Sequence, residues 1–314
     1  MQRNRAFIFP GQGSQSPQMA QELYKNSSIA RAYLEQAEKI VPGLLSACVG
    51  DASELLAQTE MAQPAIFTVS ALLWQELPVD FRQGYLAGHS LGEYTALFAA
   101  GVLDFNTALQ VVKIRAELMG KTAQKVGGGM LAVIGLDGQE MRSVIAQLQL
   151  DTVVFLANQN SPQQMVLSGT NAGLQLMEEY LGTKDGVRSV RLAVSGPFHS
   201  PLMAPVAQEF AAVINALPLA EPQLPLVSPT TGGLLTTATE VRQALLQQFS
   251  SPVLWTNTVV WLSKHGVQNL VEVGPGKVLT GLVRRIDPSL RRFNVQGLKD
   301  VNSVPIQVAE KGEG

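Results

Sequence analysis

Gly88-His89-Ser90-Leu91-Gly92 sets one hydroxyl between two glycines, after the apolar run Tyr85–Ala87 and before an alanine-rich helical pattern. A G-x-S-x-G between a strand and a helix puts the serine on a tight, strained turn. Side chains two residues away would collide, which explains both glycines. The hydroxyl then stands at the carboxyl end of the strand. Beside it the first helical N–H groups and the positive end of the helix suit a developing oxyanion. The backbone N–H of Leu91 is the natural donor, and one such donor is worth roughly 3–4 kcal/mol in the transition state.

A serine hydroxyl needs a base, and the chain has three histidines. His89 adjoins Ser90, where neighbouring side chains should point apart. His265 precedes Gly266 at an apparent helix end and suits a capping role. His199 lies in "VSGPFHSPLM", where Ser200-Pro201 reads as an N-cap and first helical residue. The positive end of that helix would disfavour imidazolium and keep His199 a neutral base. His199 also follows Ser90 in the chain, the order of α/β-hydrolases. Asp137, Asp151 and Asp185 lie between the two, but none can be assigned as a third member. A carbonyl could orient His199 instead.

The elements that must position these groups follow from periodicity. "RAFIF" (5–9), "YLAGH" (85–89) and "NLVEVG" (269–274) read as buried strands. Helices are expected over 18–41 with a break at 26–28, 63–77 with Pro64 in its first turn, 91–100, and 104–124 after Asp104. Strands alternating with helices predict an α/β fold with a parallel-sheet core. Between 130 and 194 the order β-α-β-β-α-β predicts a ferredoxin-like insert. Helices near 201–216, 239–249, 254–265 and 276–286 complete the chain, and the tail "VAEKGEG" reads as loose. The expected division is a core of 1–125 and 195–290, a ferredoxin-like α+β subdomain of 126–194, and a C-terminal extension of 291–314.

Composition sets bounds. Of 314 residues, 46% are hydrophobic and 15% charged, enough to build a large core, and the net charge of -2 offers no basic face for nucleic acid. The lone Cys48, in an apolar context, rules out an intrachain disulfide and reads as a small buried hydrophobe. No apolar run approaches a membrane span and the N-terminus lacks a signal h-region, so a cytoplasmic protein is expected. "GQGSQS" (11–16) and "GPGKVLT" (274–280) each fail a nucleotide motif, the first at Ser16 and the second at Val278. No metal-ligand spacing is present.

Taken together, "FPGQGSQ" (9–15), "GHSLGEY" (88–94), Arg115, "NQNSPQQMVLSG" (158–169), "GPFHSPLM" (196–203), "SPVLWTNTV" (251–259) and "EVGPGKVLTGL" (272–282) resemble the malonyl-CoA:acyl carrier protein transacylases. The resemblance runs from about residue 5 to 286. It implies an α/β-hydrolase-like core with the ferredoxin-like insert, and a ping-pong malonyl transfer from malonyl-CoA through Ser90 to an acyl carrier protein. It implies no cofactor, the CoA thioester and the phosphopantetheine being substrates. It places the backbone N–H groups of Gln12 and Leu91 in the oxyanion hole and makes the Gln248 carbonyl the orienter of His199. It assigns Arg115, Phe198 and Asn160 to the substrate. A guanidinium fork suits the free malonyl carboxylate, and lysine would not replace it. Phe198 matches the phenylalanine of malonyl-selective acyltransferases.

Carrier proteins are acidic, so a local basic face is expected at Arg284, Arg285, Arg291 and Arg292 or at Lys113, Lys121 and Lys125. Two other functions stay open at this point: an acyl hydrolase with water as acceptor, and a non-catalytic carrier-docking subunit.

Overall fold

In the computed structural model, which describes residues 4–194 and 196–310 without the side chains of 122–125 and 309–310, two sheets organise the chain. The strands are β1 (Arg5–Phe9), β2 (Tyr85–Gly88), β3 (Gly129–Ile134), β4 (Val154–Ser161), β5 (Gln164–Gly169), β6 (Arg188–Arg191), β7 (Leu226–Val227), β8 (Leu234–Leu235), β9 (Asn269–Val273) and β10 (Arg291–Val295). A six-stranded sheet has the order β10-β9-β1-β2-β7-β8, parallel except for the β7–β8 pair. A four-stranded antiparallel sheet has the order β4-β5-β3-β6.

The continuous apolar runs follow from burial on both faces of the parallel sheet. In β1, Phe7 and Phe9 enter one core while Ala6 and Ile8 enter the other, as the two-residue repeat of a strand requires. The pattern recurs in β9, where Val271 and Val273 face the first core and Leu270 the second. The larger core is closed by the helices Thr59–Glu76 and Phe105–Val126, the smaller by Trp255–Lys264 and Val278–Ile286.

Across 129–191 the order is strand, helix, strand, strand, helix, strand. One face of this small sheet, with Leu131, Val133 and Leu167, packs on Met141 and Ile145 of one helix and Leu174, Met177 and Leu181 of the other. Its opposite face turns Met130, Ala157 and Val166 toward the large core. The small sheet is tied to the segment before the helix Trp255–Lys264, where Val253 N donates to Ala157 O (2.8 Å) and Gln159 N donates to Val253 O (2.9 Å). That seam carries Asn158 and Asn160 over the carboxyl end of β2.

Several elements differ from expectation. The helix holding Pro64 begins at Thr59, so the proline lies inside it. The segment expected as one helix from 201 is a 3-10 turn, Pro201–Met203, followed by the helix Ala204–Ala216. Residues 291–310 are more than an appendage to a core ending at 290. β10 pairs along β9 from Arg291↔Asn269 to Val295↔Val273, and the helix Leu298–Glu310 buries Val301, Val304 and Val308. "RRFNV" opens on two arginines and carries only two buried apolar residues, Phe293 and Val295, which hides the strand. The side chains of the expected loose tail beyond Val308 lie outside the described residues, as does that of Lys125. Cys48 is buried, which pushes its thiol up from its ordinary value. Among the described residues no helix is long and apolar enough to cross a membrane.

Candidate active site

The turn after β2 is as tight as its glycines suggest. Ser90 has φ 53°, in the left-handed region that costs a side-chain-bearing residue about 1–3 kcal/mol. A Cβ on Gly88 would lie 2.0 Å from the carbonyl carbon and oxygen of Gly92, and one on Gly92 would lie 2.0 Å from the Phe9 oxygen. His89 N donates to Phe9 O (3.0 Å), which ties the turn to the end of β1. The helix Gly92–Ala99 departs immediately beyond Leu91.

His199 reaches this turn from across the molecule. Its Nε2 is 2.7 Å from Ser90 Oγ, and its Nδ1 is 3.0 Å from the Gln248 carbonyl oxygen. A carbonyl only accepts, so Nδ1 carries the hydrogen and Nε2 is left to accept from the serine. No acid takes part. Asp137 caps the helix Gly138–Gln147 and Asp151 and Asp185 are exposed. His199 is itself strained, at φ 57°. Its pKa is pushed down to about 3, first by burial and then by the charge of Arg115. Ser200 Oγ donates back to Pro197 O (2.6 Å) rather than capping a helix.

Arg115, on the helix Phe105–Val126, is 1% exposed. Its Nη2 donates to Ser90 Oγ (3.1 Å), and its Nη1 to Gln63 Oε1 (2.6 Å). Nε (3.1 Å) and Nη2 (2.9 Å) both donate to Gln248 Oε1. The rings of Tyr94 and Phe249 each lie 5.5 Å from its Cζ. Among the described residues no carboxylate comes within 4.0 Å of this guanidinium, and the one ion pair found joins Arg191 and Glu178.

The remaining expected residues gather around the same cavity of about 570 Å³, which Gln12, Leu91, Asn160 and Phe198 line together with Ser90 and Arg115. Gln12 Nε2 donates to Thr59 Oγ1 (3.1 Å). Asn160 Oδ1 is 2.9 Å from His89 Nε2, so part of its amide is already engaged. His89 points away from Ser90, packs against Trp255 and has its pKa lowered by burial. His265 caps the helix Trp255–Lys264, with Nδ1 2.7 Å from Trp261 O.

Two residues in contact with this site escape the sequence reading. Gln63 is 1% exposed and Glu93 4% exposed, each the lone strongly polar group in an apolar helical run, and that isolation was the available signal.

A hydroxyl at a strand–helix turn, paired with a buried neutral histidine and a guanidinium above a deep cavity, defines the class as an acyl transferase. The acyl transferase domain model matches residues 6–308. The malonyl CoA-acyl carrier protein transacylase of Synechocystis sp. is 40% identical over 301 residues, covering 95% of this chain and 99% of that protein. The protein of that name from Bacillus subtilis is 36% identical over 311 residues, covering 95% and 98%. The crystal structure of the Synechocystis enzyme superposes with a TM-score of 0.86 at 39% identity, covering 95% of this chain and 99% of that one. A malonyl-transacylase solved in complex with its type II PKS acyl-carrier protein superposes with a TM-score of 0.91 at 32% identity, covering 96% and 99%. The chain belongs to the acyl transferase family and, within it, to the malonyl CoA-acyl carrier protein transacylases.

Proposed function

We propose that this chain transfers a malonyl group from malonyl-CoA to the phosphopantetheine thiol of an acyl carrier protein, through a malonyl ester on Ser90. The observation that carries this reading is that one hydroxyl is shared between a base, His199 Nε2 at 2.7 Å, and a cationic fork, Arg115 Nη2 at 3.1 Å.

Ser90 Oγ attacks the thioester carbonyl and its proton passes to His199 Nε2. The Gln248 carbonyl on Nδ1 stabilises the resulting imidazolium. The backbone N–H groups of Gln12 and Leu91 receive the oxyanion. Collapse breaks the C–S bond, and the departing CoA sulfur takes the proton from His199. The carrier thiol then gives its proton to His199 and attacks the ester. Ser90 leaves, recovering that proton.

Arg115 grips the free carboxylate of the bound malonyl group. Its planar fork matches a carboxylate in two-point contact, and burial strengthens the contact. An acetyl group leaves the buried guanidinium without a carboxylate, the kind of loss worth about 3–5 kcal/mol. Phe198, in the cavity wall, limits room beside the acyl chain, so a methylmalonyl branch is disfavoured by about 1–3 kcal/mol. Asn160, held by His89, presents its free amide edge to the thioester arm. No cofactor enters this scheme.

The same reading takes 1–125 with 195–290 as an α/β-hydrolase-like core, which β10 extends, and 126–194 as a ferredoxin-like subdomain. It is supported by the parallel sheet and by the βαββαβ order. A cytoplasmic location is part of the proposal.

Intact-protein mass spectrometry after mixing with malonyl-CoA tests the function. Wild type is expected to gain one malonyl group that leaves on addition of holo carrier protein, and Ser90→Ala is expected to gain none. Loss of the label at one rate with or without carrier would assign the hydrolase instead.

A further inference from the structure

Arg115 is a buried cation whose nearest partners are amides rather than carboxylates. The Gln248 side chain shows how its charge is balanced. Gln248 Oε1 accepts from Nε and Nη2 of Arg115. The Nε2 of the same amide donates to Glu93 Oε2 and to Ser90 O (3.1 Å). Glu93 Oε1 accepts from Ser228 Oγ (3.1 Å). Glu93 and Gln248 are 4% and 1% exposed, and Ser228 is 1% exposed. A carboxylate, an amide and a guanidinium therefore stand in series inside the protein, with the amide dipole aligned between opposite charges. The backbone oxygen of Gln248 meanwhile holds His199 Nδ1.

This order has a physical consequence. A carboxylate placed directly on Arg115 would fill the fork and compete with any acidic substrate. With no carboxylate nearby, the buried guanidinium would be uncompensated. The interposed amide avoids both outcomes, because the charge is offset from one amide away and the fork still faces the cavity. The carboxylate also fixes which way the amide points. Reversing Gln248 would set its oxygen against Glu93 and its NH2 against Arg115, both repulsive. Glu93 accepts from two donors, the pattern of an ionised carboxylate. It lies in the first turn of the helix Gly92–Ala99, where a negative charge is favoured. Burial pushes its pKa up to about 7, against the pull of Gln248, Ser228 and Arg115.

The geometry points to Glu93 as a specificity-positioning residue: acting through the Gln248 amide, it orients Arg115 and supplies the resident counter-charge that lets a guanidinium with no carboxylate of its own select diacid thioesters. This inference rests on the malonyl-transfer reading above.

The test compares acylation by malonyl-CoA and by acetyl-CoA at pH 8 in wild type, Glu93→Gln and Ser228→Ala, with melting temperatures in parallel. Glu93→Gln is expected to lower the malonyl-to-acetyl ratio of kcat/KM by roughly tenfold or more, the scale of coupling within one hydrogen-bond network. Ser228→Ala, which leaves the Glu93–Gln248 contact in place, is expected to shift the ratio the same way by a smaller factor, and it carries the test if Glu93→Gln does not fold. A purely structural role would slow both substrates equally and leave the ratio unchanged, which would overturn the inference. A wild-type enzyme with no malonyl preference would instead overturn the reading on which it rests.

Discussion

Arg115 Nη2 donates to Ser90 Oγ across 3.1 Å, so the guanidinium proposed to hold the acid and the proposed nucleophile touch before any substrate arrives. An acyl group on Oγ that carries a carboxylate three atoms away reaches the fork without leaving the hydroxyl. A longer diacid must fold back and an acetyl group offers nothing to hold.

Replacing the fork should therefore change selectivity before it changes chemistry. Arg115→Ala removes the cation and leaves the malonyl carboxylate unpaired, and malonyl acylation is expected to fall by about 3–5 kcal/mol of transition-state stabilisation, the cost of breaking a buried pair. Acetyl acylation should fall far less. Mass spectrometry with a panel of acyl-CoAs reads both at once. Equal losses for both substrates would mean that Arg115 serves the fold or Ser90 alone.

The glycines of the elbow make a steric prediction. Gly88→Ala and Gly92→Ala each force a Cβ to within 2.0 Å of backbone atoms, at Gly92 and at Phe9 respectively. Each is expected to destabilise by more than about 4 kcal/mol or to distort the turn and abolish acylation. Gly281→Ala is the contrast. It sits inside the helix Val278–Ile286, and an added Cβ meets nothing within 4 Å. It is expected to stabilise by about 1 kcal/mol. Urea denaturation of the three variants checks the set.

What was legible in the sequence divides along physical lines. The elbow is a local device, and its strand, glycines and helix are contiguous, so Ser90 and Leu91 could be read directly. The main strands are apolar runs bounded by turns and were equally plain. His199 emerged from a choice among three histidines, while its carbonyl partner on Gln248 was reachable only through a family resemblance. Gln63 and Glu93 escaped because their importance is relational. Each looks like a stray polar residue in a helix until folding brings it to Arg115 or Gln248. β7 and β8 have two residues each, too few for any periodicity, and β10 is masked by its arginines. The causes of the low His199 pKa, burial first and then the charge of Arg115, carry no local signal for the same relational reason, since Arg115 and the burying walls come from distant segments.

That low pKa sets a pH dependence with a definite sign. In the proposed mechanism the neutral imidazole is the base, and burial keeps it neutral in the folded enzyme down to about pH 3. With an acetyl thioester, whose transfer does not use the diacid grip, kcat/KM should stay flat as pH falls from 8 to 5. An ordinary histidine would halve the rate near pH 6.5. Stability moves with pH as well. The unfolded chain takes up the His199 proton below about 6.5 and the folded chain does not, so this contribution is present above that pH and lost as pH falls toward about 3. Glu93, raised to about 7, has the opposite sign, contributing below its unfolded value and losing that contribution as pH rises through about 7. Melting curves of His199→Ala against wild type isolate the histidine, and the variant should lose less stability between pH 6.5 and 5.

Carrier docking can be narrowed by topology. Ser90 follows the carboxyl end of β2, and β10 runs parallel to the sheet, so Arg291 and Arg292 open their strand at the opposite end from the site. Lys113 is tied to Ile40 O at 3.1 Å, and neither it nor Lys121 lines the cavity. The helix Val278–Ile286 differs, because Val278, Leu279 and Leu282 line the cavity while Lys277 precedes them and Arg284 and Arg285 follow. Charge reversal at Lys277 and Arg284 is expected to slow malonyl transfer to an acidic carrier by roughly tenfold at low salt, with the gap closing as salt screens it. Acylation of Ser90 by a malonyl thioester without a nucleotide should be unchanged, since no acidic partner is involved. Reversal at Lys113 and Arg292 should leave both steps alone. Stopped-flow measurement of the two half-reactions separates the steps, and equal carrier rates for the two double variants would remove this helix from the docking face.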